Sequence, residues 1–338
     1  MRCLSLSVIR IRKNLLRWYD RHHRVLPWRA PELRGNAYAT WVSEIMLQQT
    51  RVAVVVPYFQ RFLARFPILS SLARAPLSEV LRQWSGLGYY RRARQLHAGA
   101  QWLLTQANGE FPRDFAAALQ IPGVGRYTAG AVLSIAYGQA FPAVDGNVRR
   151  VLQRLSGRSL SPARLEAAAQ KLLSPRRPGD FNQALMELGA LICLPARPQC
   201  PVCPLRRLCR YKLGARKRPG AAPPRSPAAP VFEPLNLHYG LLQNRGRIWL
   251  TQRPSTADWM PELWELPAIT DGAPHPVLLR LRHSITRYRM DARVYAATRR
   301  QLLQPAPGAW FLPAEAAALP LTGLTRKILR RLLILKPD

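Results

Sequence analysis

The tightest constraint in this chain is a run of four cysteines, Cys193, Cys200, Cys203 and Cys209, spaced C-x6-C-x2-C-x5-C. Thiolates this close in sequence wrap a single metal centre, so the segment must be an irregular loop closed on itself. Tetrahedral zinc and a 4Fe–4S cluster both accept four cysteine ligands, and the spacing leaves both open. Cysteines used this way point to a reducing compartment rather than to disulfides. Arg197, Arg206 and Arg207 make the loop cationic, and the remote Cys3 reads as incidental.

The chain divides by texture on either side of this loop. From about Val8 to Leu208 apolar residues recur at helical spacing, as in Leu15–Trp18–Tyr19, Tyr58–Phe62–Leu63 and Val80–Leu81–Trp84. Turn signals punctuate them: Phe66–Pro67, Gly86–Leu87–Gly88, Phe111–Pro112, Pro122–Gly123 and Asp145–Gly146. Residues 214–230 are rich in Pro, Ala and Arg, lack a core-forming pattern and read as an extended linker. Beyond it Asn236–Leu242, Arg247–Gln252 and Met290–Ala296 read as short strands and Leu324–Leu335 as a closing helix. The expected organisation is an all-α region over 1–213, the linker, and a small α+β domain over 231–338, with no internal repeat.

Charge narrows the partner. Lys+Arg is 51 against Asp+Glu 18, a net +33, which points to a polyanion. Arg far outnumbers Lys, as GC-rich coding alone produces, yet Arg still neutralises phosphate. Residues 1–216 hold 33 basic and 10 acidic residues, the remainder 18 and 8, so most phosphate contacts are expected before the linker. No stretch has the length of a transmembrane helix, and the basic first dozen residues read as the start of the first helix.

Two features carry chemistry. Leu119–Gly130, LQIPGVGRYTAG, has the form of a helix-hairpin-helix: Gly123 and Gly125 allow a tight turn, and the amides opening the next helix offer a phosphate site. About twenty residues on stands Asp145, before Gly146–Asn147, whose ordinary role is to cap the following helix. Glu44 shares a helix face with Thr40 and Gln48 at i, i+4 and i+8; the ordinary reading of such a stripe is a solvated polar face.

WVSEIMLQQT (41–50), GLGYY (86–90), the hairpin, VDGNV (144–148) and the cysteine loop occur in the order found in MutY-type adenine glycosylases, which share a fold with endonuclease III. The resemblance covers nearly all of residues 10–210. It implies a helical catalytic domain with a 4Fe–4S cluster on the four cysteines. It also implies that Glu44 protonates the departing adenine and handles water, and that Asp145 stabilises the sugar cation or forms a transient adduct with it. Tyr127 falls where the family sets a residue that tunes Asp145; in bifunctional relatives a lysine there attacks the sugar, and no lysine lies between Lys13 and Lys171. Trp28, Arg29 and Glu187 are implied to line the base pocket. Gln49 and Tyr89 are implied to wedge into the base stack, with Asn147, Gly123 and Gly125 among the DNA contacts.

After the linker, LWELP (263–267) and RHSITR (282–287) resemble the family's Nudix-like module that senses 8-oxoguanine opposite adenine. Thr286 keeps the hydroxyl of the family's Phe-Ser-His motif, while Arg287 replaces its histidine. The acidic box of Nudix hydrolases is absent, so no pyrophosphatase activity is expected. The implied protein is a monomeric, cytoplasmic, bacterial-type and nucleoid-associated repair enzyme acting on adenine opposite 8-oxoguanine or guanine. Two alternatives stay open: a same-fold glycosylase for another mispair, and a silent Fe–S protein that binds mispairs without cutting.

Overall fold

A computed structural model describes residues 2–211, 232–270, 276–285, 288–303 and 307–335, with side chains from residue 7 onward. The expected linker and Thr286 with Arg287 lie outside the described residues. Before the linker every regular element is helical: α1 (Arg2–His22), α2 (Ala37–Leu47), α3 (Val52–Arg65), α4 (Leu69–Arg74), α5 (Leu77–Trp84), α6 (Arg91–Gln106), α7 (Phe115–Ala118), α8 (Arg126–Ile135), α9 (Gly146–Ser156), α10 (Pro162–Leu172) and α11 (Pro178–Leu191). After it come strands β1 (Glu233–Leu241), β2 (Gln243–Asn244), β3 (Arg247–Gln252), β4 (Trp264–Glu265), β5 (Val277–Ile285), β6 (Tyr288–Ala296) and β7 (Gly308–Phe311), then helices α12 (Pro313–Ala318) and α13 (Gly323–Arg331). The division into a helical region and an α+β region is thus as expected. No helix among the described residues is long and apolar enough to cross a membrane.

Two compact units form. One holds residues 1–74 and 95–226; the other holds 75–94 and 227–338. Residues 75–94 thus group with the unit that follows the linker. The reason is specific bonding: the Tyr90 hydroxyl donates to the Leu321 carbonyl at 3.2 Å, Arg326 donates to Ser85 Oγ at 2.8 Å, and Arg94 pairs with Glu262 at 2.5 Å. None of these partners is adjacent in sequence, so no local pattern announces them.

In the helical unit α2 is the central element, buried from Ala37 through Met46. Asn36 starts it by accepting from the Ala39 amide at 2.9 Å. Helix α9 buries Val148, Val151, Leu152 and Leu155 against Leu15, Trp18, Leu185 and Leu188, each such side chain contributing about 1.5–3 kcal/mol. Helices α8 and α11 close in through glycines. A Cβ on Gly130 would meet the Pro142 carbonyl oxygen at 2.2 Å, and one on Gly189 would meet Asn147 Cβ at 2.5 Å.

In the C-terminal unit β6 lies between β1, parallel to it, and β5, antiparallel. A second sheet sets β2, β4 and β7 antiparallel to β3. Met290, Ala292 and Val294 of β6 point into a core shared with Leu324, Ile328 and Leu329 of α13. LWELP is fixed from both sides. Thr325 Oγ1 accepts from the Leu266 amide at 3.2 Å, and Glu265 pairs at 2.7 Å with Arg253, whose guanidinium lies 4.3 Å over Trp259.

Candidate active site

A cleft of about 750 Å³ opens in the helical unit, lined among others by Trp28, Arg29, Glu44, Gln49, Tyr127, Asp145, Asn147 and Glu187. Eight residues that sequence reasoning assigned to chemistry or substrate thus share one cavity. They come from the turn after α1, from α2, α8 and α11, and from the start of α9.

Glu44 sits on α2 with only 6% of its surface exposed, and Thr40 is buried with it. The stripe read as a solvated polar face is therefore interior, because α2 is buried on all sides. Burial pushes the Glu44 carboxyl up to about 7; the charge of Asp145 adds to the rise, while the Tyr127 hydroxyl and Arg29 oppose it. The Tyr127 hydroxyl donates to Glu44 Oε2 at 2.5 Å. Tyr127 gives its hydrogen bond to Glu44, where α8 packs against α2, and lines the same cleft as Asp145. Its own ionisation is driven far up by burial and by the two carboxylates, so it remains a donor.

Asp145 lines the cleft and caps α9, as its place before a helix predicts. As the N-cap of α9, its Oδ1 accepts from the Val148 amide at 2.7 Å, and Oδ2 accepts from Asn147 Nδ2 at 2.9 Å. Asn147 Oδ1 in turn accepts from Arg150 Nη2 at 2.8 Å, and Arg150 Nε donates to the Cys193 carbonyl at 2.7 Å. A continuous run of hydrogen bonds joins the cleft carboxylate to the first cysteine of the loop. Arg150 carries no sequence signal beyond being one arginine among many, and it was missed.

The floor of the cleft is an ion-pair cluster. Glu187, 1% exposed, takes Arg24 at 2.8 Å and Arg29 at 3.0 Å. Burial would raise its carboxyl, but the two guanidinium groups outweigh burial and hold it below the usual carboxylate range. Arg29 also donates to Gln183 Oε1 at 2.8 Å, and Trp28 packs edge-on against Phe59 at 5.5 Å. Arg24 and Gln183 escaped the sequence reading; only their conjunction with Arg29 and Glu187 in space reveals them.

At the rim Gln49 is exposed and left-handed, with φ 58°. In the other unit Tyr89 is also left-handed, φ 50°, and 47% exposed. It follows Gly86 (φ 98°) and Gly88 (φ 79°), in a turn that Trp84 Nε1 closes by donating to the Gly88 carbonyl at 3.0 Å. Such conformations cost a non-glycine residue about 1 kcal/mol or more, so Tyr89 is not an ordinary core tyrosine. The hairpin turn is present too. Gly123 has φ 78°, Gly125 caps α8, and both are exposed.

The four cysteines form no disulfide and are half-buried. Cys203 is pushed up to about 11, mainly by burial, with the other three cysteines adding to the rise. Their sulfurs therefore share one electrostatic neighbourhood. Arg154 Nη1 lies 3.4 Å from Cys193 Sγ. Four sulfurs gathered in one short loop suit a multivalent cationic centre. Among the described residues no three His, Cys, Asp or Glu side chains are grouped to hold a single metal ion.

Residues 42–175 match the HhH-GPD superfamily of base excision DNA repair proteins. The chain is 50% identical over 216 residues to the adenine DNA glycosylase of Rattus norvegicus, covering 60% of this chain and 42% of the relative. It is 40% identical over 302 residues to that of Arabidopsis thaliana, covering 77% of this chain and 47% of the relative. It therefore spans less than half the length of these two relatives. Among solved structures it is similar to a thermostable thymine-DNA glycosylase, with TM-score 0.58 and 29% identity over 62% of this chain and 98% of that one. The buried Glu44, the capping Asp145, the hairpin and the cysteine loop stand on the helical frame of that group: residues 42–175 carry an HhH-GPD base excision DNA repair domain, and the chain resembles MutY-type adenine glycosylases.

Proposed function

We propose that the protein is a monofunctional adenine DNA glycosylase that excises adenine opposite 8-oxoguanine or guanine, acting as a monomer. The observation that carries this is Glu44, a buried carboxyl poised near neutrality in the same cleft as Asp145. Breaking an N-glycosidic bond leaves electrons on the base and positive charge on the sugar. A protonated Glu44 supplies the proton to the base. Asp145, already hydrogen-bonded through both oxygens, faces the sugar cation without reorganising. Glu44, left ionised, then takes a proton from the water that completes the reaction. Arg24 and Arg29, tied to Glu187, fix the polar wall against which the flipped base is held. No amine stands at position 127, so the strand should leave intact, bearing an abasic site.

The four cysteines are proposed to hold a 4Fe–4S cluster, which would staple the 193–209 loop and so hold Arg197, Arg206 and Arg207 in place. The catalytic work is assigned to 1–213 and recognition of 8-oxoguanine to 231–338, with Thr286 as the proposed contact. The decisive assay presents duplexes with one adenine opposite 8-oxoguanine, one adenine opposite guanine, or one thymine opposite guanine, followed by alkali. Alkali-dependent scission at adenine is expected. Release of thymine alone would move the protein to another branch, and binding without release would make it a silent mispair-binding protein.

A further inference from the structure

The hairpin of β5 and β6 shows solvent a face whose charge is concentrated. Across the pair Ser284 stands opposite Arg289, Arg282 opposite Asp291 and Arg280 opposite Arg293. Residues of this face alternate with the inward Met290, Ala292 and Val294, so all six side chains emerge on the same side. Four arginines thus surround one carboxylate, a net of +3 along about 13 Å of strand.

The single acid is already committed. Asp291 takes Arg280 at 2.6 Å and is held below the usual carboxylate range chiefly by that bond, with Arg293 and Arg282 adding to it. The neighbouring strand sets Asn236 opposite Asp291 and His238 opposite Arg293, while its acid, Glu233, stands opposite Tyr288 in the alternate register. Arg289 lies 4.9 Å over the Phe232 ring. Like charges directly across an antiparallel pair destabilise it, and Arg280 against Arg293 is such a pair. An external polyanion would relieve that repulsion. The face is cationic, with its arginines repeated along paired strands, which suits regularly spaced phosphates and sequence-independent contact.

We propose that this sheet face is a second contact with duplex DNA, gripping the sugar–phosphate backbone independently of the residues of the cleft. The inference rests on the reading of the chain as a DNA glycosylase.

The test uses the full chain with Arg282→Ala, Arg289→Ala and Arg293→Ala combined, keeping the Arg280–Asp291 pair. A control triple, Arg245→Ala, Arg247→Ala and Arg300→Ala, removes equal charge elsewhere in the same unit. Binding to an undamaged duplex is measured against salt. Each lost phosphate contact should lower the slope of log K on log salt by about 0.9, up to about 2.7 for all three. The control triple should keep the wild-type slope, and a triple Arg→Lys variant should keep it too. Saturated single-turnover base release should be unchanged in all of them. A face variant with the wild-type slope, or equal losses in face and control triples, would overturn the proposal. Absence of base release by the wild type would instead refute the glycosylase reading and leave the salt result standing.

Discussion

Replacing Tyr127 by phenylalanine deletes one hydroxyl, and that hydroxyl donates to Glu44 Oε2 at 2.5 Å. The bond favours the ionised carboxylate, so its loss must move the Glu44 titration upward from about 7. A hydrogen bond to a charged acceptor is worth about 1.5–3 kcal/mol against about 0.5–1.5 for a neutral one. The difference, about 1–1.5 kcal/mol, corresponds to roughly one pH unit. The measurement is single-turnover release of adenine opposite 8-oxoguanine as a function of pH at constant ionic strength. If Glu44 must be protonated, the wild-type rate falls as pH rises through about 7. In the variant the same limb should lie near pH ~8, where the protonated fraction, and with it the rate relative to the plateau, would be roughly fivefold higher than in wild type. The position of the limb is diagnostic even if the plateau drops. A limb that stays in place or moves toward acid would refute the assignment of Glu44 as the proton donor and of Tyr127 as its tuning partner.

Other expectations follow from the same geometry. Glu44→Gln should abolish base release yet stabilise the fold at high pH. A carboxyl raised from 4.5 to about 7 contributes its full stability below pH 4.5 and loses it as pH rises through 7. The variant should therefore gain up to about 3 kcal/mol over wild type above neutrality, and thermal melts that run parallel at all pH values would contradict this. Asp145→Asn keeps an oxygen for the Val148 amide and should retain stability and DNA binding while losing most release; Asp145→Ala should cost about 1 kcal/mol more in stability through the lost cap. Gly189→Ala drives a methyl into Asn147 and should cost about 1–3 kcal/mol while slowing release through a displaced Asp145; unchanged kinetics would show that Asn147 does not position it. Purified protein should be brown with about four irons per chain, and Cys203→Ser should lose both; colourless protein with stoichiometric zinc would refute the cluster.

The helical texture of residues 8–208 was legible because its apolar periodicity and Pro-Gly punctuation are local. The site acids were legible because each stands in a motif with its own local role: Asp145 at a helix start, Glu44 within 41–50. Their environment was not. A polar stripe on α2 looks the same whether it faces solvent or, as here, a buried cleft, and only packing decides the protonation of Glu44. Strand β5 was missed as an element although Leu279, Leu281 and Ile285 alternate with Leu278, Arg280 and Arg282, because 282–287 was read as a motif and not as period two. The Arg24–Glu187–Arg29 cluster joins residues more than 150 positions apart, and nothing local encodes a long-range ion pair.

The bonding of residues 75–94 to the C-terminal unit has a consequence for how the chain is made. Tyr90 and Arg94 emerge from the ribosome long before their partners Leu321 and Glu262 exist. Tyr90 waits for roughly 230 residues, about 12–46 s at typical elongation rates of about 5–20 residues per second. The helical unit must therefore mature around a segment whose final bonds are still missing. A nascent chain stalled before residue 262 should carry a protease-sensitive stretch between α4 and α6 that a released chain lacks. Vectorial synthesis thus makes the later-made Glu262 and Leu321 a checkpoint on the folding of residues 75–94.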